Sequence, residues 1–461
     1  MSCRYRSLRN EAVCRTVLIF LPLITTAHVS RVLGAEGMGI TAVSLNVISY
    51  FIMTAQLGTH TLGIRTAAAD PSQAEHVYHD LLSLQIITSL FSMVMYLIVL
   101  ILMHASMIMR IQLIRLAACM ADCSWLLKGL ERSDRYVLCT LLIRILDAVC
   151  VLLFVREGYA PLEMYGTIQA CGTFLMAAVS QIYIRRLGFA FRFRTDHLSA
   201  CLKGSLKLFV PAAALKIFRI IDQGMLGILS TAQESGCYAC ADRIVNIPFG
   251  IMEGLLVLLI PGAIRAHRSG SQQYCSDCMT ALMSAAVMIS CGLFMVSQDA
   301  VTLLYGKGYE SVTGLSKLLS LFIILKTCTM AYRCLYLIPA GKQKSDTAMI
   351  CLAVLLNILL DICTIPASGA YGAAAATVIS EAALAIMNMS CHQVIGISKQ
   401  VCLHTAAACI CCLTIHSALP DIPAVRIAAD AVIWTGAAGW IIQTKEIKGI
   451  LKRIREDHGT E

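Results

Sequence analysis

The sequence predicts an all-α polytopic membrane protein, with about fourteen transmembrane helices in two six-helix bundles followed by a C-terminal helix pair. Three observations carry that prediction. Only 14% of the 461 residues are charged and 58% are hydrophobic, with a mean hydropathy of +0.74; a soluble chain of this size carries about 25% charged residues. The apolar residues come in continuous runs of bilayer length (~20 residues), not in the alternating ~10-residue strands of a membrane β-barrel. Lys and Arg, finally, crowd into every second loop, the asymmetry of a multi-pass chain.

The spans follow in order: Val13–Val32, Met38–Leu57, Leu81–Met103, Ile108–Leu127, Tyr136–Val155, Met164–Ile184, Leu206–Leu229, Tyr238–Ile260, Thr280–Val296, Leu315–Ile338, Ala348–Ile365, Ala370–Met389, Val401–Ile415 and Ala424–Ile442. The thirteenth is short and is followed by Pro420 and Pro423. Arg4, Arg6 and Arg9 before the first run imitate a secretory signal. A signal core is only ~7–15 residues long and ends at a small-residue cleavage site. This run continues to Arg31, so it is expected to be retained. With the N terminus inside, Lys and Arg favour the inner segments by roughly four to one, which predicts that both termini lie in the cytoplasm. An odd number of spans would scramble the bias. The net charge of +9 belongs mainly to these loops and gives no reason to expect nucleic acid.

The longest inner connection, Arg185–Lys207, separates two blocks of six spans. It predicts domains at residues 1–198 and 199–398, with a terminal helix pair and basic tail at 399–461. Phe189, Phe191 and Phe193 alternate with basic residues there, which suits a stretch lying on anionic lipid or a solvated linker. Both blocks begin with a span, a short glycine-bearing loop (Gly34–Gly39, Ala232–Tyr238) and another span; repeated halves are common in transporters. At the first of these, Gly34, Gly37 and Gly39 free the backbone to reverse. No loop is large enough for the polar domain of a membrane enzyme, so no enzymatic activity is expected. Most of the 22 cysteines lie in apolar runs, where they act as small hydrophobes. Cys237/Cys240, Cys275/Cys278 and the His404, Cys409, Cys412 set are read the same way, and no metal or cofactor is expected.

Charges at span depth are expensive and face a bundle interior or a watery cavity. The seventh span holds Lys216, Arg219 and Gln223 on one side, with Asp222 at the margin. Arg219 and Asp222 can pair at i, i+3, which leaves Lys216 over and suggests a cationic cavity wall. Lys326 and Arg333 lie at i, i+7 on the tenth span with no acid between them. Arg115/Asp122 and Arg144/Asp147 are read as structural pairs, and Arg15 and Arg243 as snorkelling residues near span ends. Asp222, Asp361 and Glu381 are the candidates for proton or sodium coupling.

Several stretches, in order across most of the chain, resemble one family. These are SRVLGAEGMGI (Ser30–Ile40), QLGTHTLGIR (Gln56–Arg65), DCSWLLKGLERSDRYV (Asp122–Val137), LKLFVP to GCYACADRIVNIP (Leu206–Pro248), LYGKGYESVTGLSKLLS (Leu304–Ser320), YLIPAGKQK (Tyr336–Lys344) and NILLDICTIPASGAYGAAAATVISE (Asn357–Glu381). Together they are similar to the Wzx-type oligosaccharide flippases, the polysaccharide biosynthesis proteins of the MATE/MOP transporter superfamily. The resemblance implies two six-helix bundles in a V around a cavity that opens alternately to each side. It implies transfer of an isoprenoid-pyrophosphate-linked oligosaccharide to the outer leaflet of the plasma membrane, with membrane lipids and other polysaccharide assembly proteins as partners. A pyrophosphate needs cations, so Lys216, Arg219, Gln223, Lys326 and Arg333 are the implied substrate-binding set. Lys216 and Arg219 depart from the family pattern, where less charge is expected, and the basic cluster after Pro261 is sparse. The alternative is a drug/cation antiporter of the same superfamily, which would favour acidic over basic cavity residues.

Overall fold

The computed structural model describes residues 2–102, 105–132, 134–158, 160–270, 272–391, 399–417, 423–443 and 448–449, with side chains in the first helix described from Leu21 onward. The expected snorkelling of Arg15 and the tail residues Lys445, Lys452, Arg453 and Arg455 lie outside this set. The described residues form fifteen α-helices: α1 Ser2–Gln56, α2 Thr59–Ala69, α3 Ala74–Leu102, α4 Met107–Ile111, α5 Leu113–Ala121, α6 Ser124–Gly129, α7 Asp134–Phe154, α8 Pro161–Arg186, α9 Leu198–Leu229, α10 Ala232–Ser269, α11 Gln272–Leu304, α12 Glu310–Tyr332, α13 Gln343–Cys391, α14 Lys399–Ser417 and α15 Pro423–Gln443. A π-helical turn at Arg333–Leu337 follows α12. Among the described residues, eight helices are long and apolar enough to cross a membrane.

Two of the long helices each supply two passes. α1 breaks at Gly34 (φ 66°, ψ 179°) and α13 at Gly369 (φ 54°, ψ −129°). L-residues reach positive φ at a cost, and glycine removes it. Of the three glycines in the first hairpin only Gly34 takes positive φ; Gly37 and Gly39 are helical. Counting both limbs of each broken helix, and α4–α6 as one crossing, the elements are consistent with fourteen passes.

The fourth span differs most from expectation. It is three short helices, not one, because the backbone turns extended at Asp122 (φ −75°, ψ 109°). The break survives at bilayer depth because its polar groups are met by side chains, as they must be without water. Gln85 Nε2 donates to the carbonyls of Cys119 and Asp122, and Gln181 Nε2 to that of Ala121 at 2.9 Å. Ser180 Oγ accepts the Cys123 N–H at 3.0 Å, and Asp122 Oδ1 accepts that of Ser124 at 3.0 Å. The expected Arg115/Asp122 pair is therefore displaced: Asp122 Oδ2 lies 3.6 Å from His60 Nε2, and Arg115 sits near Asp147 and Arg144. The i, i+3 pair forms, with Arg144 Nη1 3.6 Å from Asp147 Oδ2.

The chain separates into two compact units, Met1–Gly224 and Met225–Glu461, so the division falls inside α9. In the first unit α1 packs on α3 and α7, α5 and α7 pack on α8, and α2 packs on α6. Trp125 and Tyr78 anchor a buried cluster there, and Gly63 lies so close that a Cβ would fall inside the Trp125 ring. In the second unit α12 is central, contacting α10, α11 and α13, and α14 and α15 lie on α11. Large side chains such as Ile101, Leu102, Leu142, Leu258 and Leu359 face outward, as expected of lipid-facing helices.

Candidate functional site

In the first unit the charged stretch of α9 is one uninterrupted helix with Pro211 inside it. Lys216 is half-buried and close to the Cys119 thiol of α5. Arg219 is exposed, Asp222 is buried and Gln223 is intermediate. The α9 backbone meets the second limb of α1, where Asn46 Nδ2 donates to the Ile220 carbonyl at 2.6 Å. A Cβ on Gly224 would stand 3.0 Å from Asn46 Oδ1 and 3.2 Å from the Tyr50 hydroxyl, so the absent side chain permits the approach. Asp222 shares this corner, with its carboxylate near the Tyr50 hydroxyl. Asn46 and Tyr50 were not legible as site residues, because a polar residue on an otherwise ordinary span carries no signal of what will pack against it.

In the second unit the tenth-span cations are paired, contrary to the expectation that nothing neutralises them. Lys326 Nζ donates to Glu381 Oε2 at 3.0 Å. Thr329, one turn on, donates its hydroxyl to the other carboxylate oxygen. Lys326 is 7% exposed and Glu381 is fully buried. The Lys326 ammonium also lies 5.6 Å from the Phe322 ring centroid, a cation–π contact. Arg333 Nε sits 3.1 Å from Asp346 Oδ2, both partly shielded at the π-turn. The acids come from α13, 55 and 13 residues away in sequence, beyond the reach of any pattern along α12 itself. A predicted substrate cation and a predicted coupling acid, Lys326 and Glu381, are thus partners.

Asp361 is fully buried on α13, and Asn357, one turn earlier, is fully buried too. Neither the nitrogen nor the oxygen of the Asn357 amide makes a hydrogen bond among the described residues. A buried amide with both ends unsatisfied is costly. The i, i+4 spacing of Asn357 and Asp361 was the available signal for the pair.

Comparison with known proteins places this geometry. The polysaccharide biosynthesis protein family matches residues 13–265. The chain belongs to that family. A second family, described as the lipid II flippase MurJ, matches residues 144–421. A curated relative from Shigella dysenteriae, described as an O-antigen transporter, is 22% identical over 258 residues, 54% of this chain. The chain spans 63% of the length of that relative. Among solved structures, a lipid II flippase MurJ in an inward closed conformation superposes with a TM-score of 0.75 at 13% identity, over 94% of this chain and 98% of that one. An inward-facing multidrug transporter of the MATE family and MOP superfamily gives 0.62 at 14% identity, over 83% and 96%. The fold of this polysaccharide biosynthesis protein is therefore that of the MOP transporters.

Proposed function

We propose that this polysaccharide biosynthesis protein is a flippase that moves an isoprenoid-pyrophosphate-linked oligosaccharide from the cytoplasmic to the outer leaflet by alternating access, for cell-surface polysaccharide synthesis. The observation that carries the reading is α9: a bilayer-length helix with Lys216 half-buried and Arg219 exposed at its middle. Cations held there suit a pyrophosphate, which arginine grips with two parallel hydrogen bonds. Lys326 and Arg333, each closed by a carboxylate, are the substrate-binding candidates of the second unit. Asp222, Glu381 and Asp361 with its neighbour Asn357 are the coupling candidates; proton uptake by Glu381 would free Lys326 for an anion. The antiporter reading draws on the buried acids, but one of them is already matched by a lysine.

Two six-helix bundles with a terminal helix pair, both termini cytoplasmic, and contact with other polysaccharide assembly proteins complete the proposal. Reconstitution tests it. Vesicles containing the protein should translocate a pyrophosphate-linked oligosaccharide lipid, and the purified protein should bind that lipid in detergent in preference to an organic cation. Preferential binding of the cation without lipid translocation would install the antiporter in its place. A reporter fused after Lys452 should be active only in the cytoplasm; activity outside would break the even span count.

A further inference from the structure

The Arg185–Lys207 connection neither lies free nor presents all three aromatics outward. After α8 the chain turns through Gly188 at positive φ, and Phe189 packs against the cluster around Tyr78 and Trp125. The Tyr78 ring is 6.4 Å from Phe189 and 6.0 Å from Phe191, and the His79 ring is 6.3 Å from Phe191. Phe191 keeps one side exposed despite these contacts, and Phe193 is exposed. Three polar contacts then fasten the strap to the start of α3. The Arg192 backbone N–H donates to His79 Nδ1 at 3.1 Å, and the Arg194 backbone N–H donates to Ser83 Oγ at 2.9 Å. The Arg194 guanidinium lies 2.9 Å from His76 Nδ1. Four residues after Arg194 the chain enters α9, the helix that carries Lys216 and Arg219.

Donor chemistry fixes the protonation of both histidines. A backbone N–H and a guanidinium can only donate, so each Nδ1 must accept and carry no proton. An imidazolium bears N–H on both nitrogens, which would set donor against donor twice and a new positive charge beside Arg192 and Arg194. On His79 one group works the other way: Glu75 Oε1 stands 3.7 Å from Nε2, on a largely exposed side chain. Asp80, next along α3, faces Cys201 instead. The fastened strap binds fewer protons than the released one. Burial pushes the His79 ring below its ordinary value, so at His79 the fastened strap is favoured above ~6.5 and weakens as pH falls through the lowered value.

We propose that His76 and His79 are positioning residues that hold the strap on α3 only while their Nδ1 atoms are unprotonated, so that protons on the side bearing this connection loosen the chain leading into α9. Its bearing on transport rests on the assignment of α9 to the headgroup; the strap itself does not. The test is amide hydrogen exchange of the full-length protein in detergent, read as protection factors for residues 189–195 at pH 7.5 and 5.5. Protection at Arg192 and Arg194 should fall ~10-fold or more at the lower pH, while the amides at the centres of α8 and α9 hold. In the double variant His76→Gln, His79→Gln the glutamine oxygens still accept but do not titrate, so the profile should flatten with protection retained. Ser83→Ala should lower Arg194 protection at both pH values and keep the pH response. A wild-type profile independent of pH, or an undiminished pH response in the double variant, overturns the proposal. Should the double variant not accumulate, the wild-type and Ser83→Ala profiles decide alone. Neither readout depends on transport, so failure of the flippase assignment leaves the result standing.

Discussion

The cations of α9 and those of α12 look alike in sequence and differ in the fold. Both pairs sit within bilayer-length apolar helices. On α12, Lys326 is buried against Glu381 and Thr329, and in the π-turn that follows Arg333 meets Asp346. On α9, Lys216 is half-buried and Arg219 is exposed, while the acid of that helix, Asp222, is buried. The difference teaches that a charge at depth has two uses. Closed by a partner on a neighbouring helix, it fixes which faces pack. Where the side chain stays accessible, as at Arg219, its role is the one the transport experiments below test.

The largest effect that would break this comparison is on the buried pair. Lys326→Met should remove most of the protein from the membrane, because Glu381 is left buried without its cation, a loss of roughly 3–5 kcal/mol. Adding Glu381→Gln should restore abundance, measured by quantitative blotting of membranes, since the pair can be replaced by neutral groups of similar shape. If Lys326→Met alone accumulates normally, the two helices do not differ in the way described.

The next effect is on α9. Arg219→Gln should abolish export in a lipid-linked oligosaccharide accumulation assay while leaving abundance unchanged, and Arg219→Lys should keep part of the activity, because the charge survives and the fork does not. If Arg219 serves only to neutralise Asp222, the single change should lower abundance, and Arg219→Gln with Asp222→Asn should restore both. A double variant that exports normally would remove Arg219 from the headgroup.

Arg333→Gln sharpens the comparison at a smaller scale. Arg333 is only 21% exposed and Asp346 is buried, so the cost should lie between the ~1 kcal/mol of an exposed pair and the ~3–5 kcal/mol of a fully buried one, seen as a drop in thermal stability in detergent. The smallest expected difference is the one between the two helix breaks. Gly34→Ala should cost about 1–3 kcal/mol from its backbone alone, since φ 66°, ψ 179° is a conformation essentially confined to glycine and nothing lies within 4 Å of its Cβ position. Gly369→Ala should cost more, because a Cβ there meets the Glu234 carboxylate that accepts the Ala370 N–H at 2.9 Å. Equal losses at the two sites would remove the distinction.

The sequence by itself determined the membrane class and the span order, because each follows from sums over neighbouring residues. Hydropathy needs only a window of ~20 residues, and a glycine at a span junction needs only its own backbone freedom. The family, too, was legible from short stretches in the right order. Tertiary structure alone decided the partners. Glu381 reaches Lys326 and Asp346 reaches Arg333 because α13 packs on α12 and the π-turn. The breaks around α4–α6 are tolerated because Gln85, Ser180 and Gln181 arrive from α3 and α8. Asn46 and Tyr50 meet Asp222 because Gly224 lets α9 approach α1, and the strap stays on α3 because two imidazole nitrogens accept there. Which charged group meets which depends on the faces that packed helices turn toward one another, and no local pattern along a single apolar helix records that.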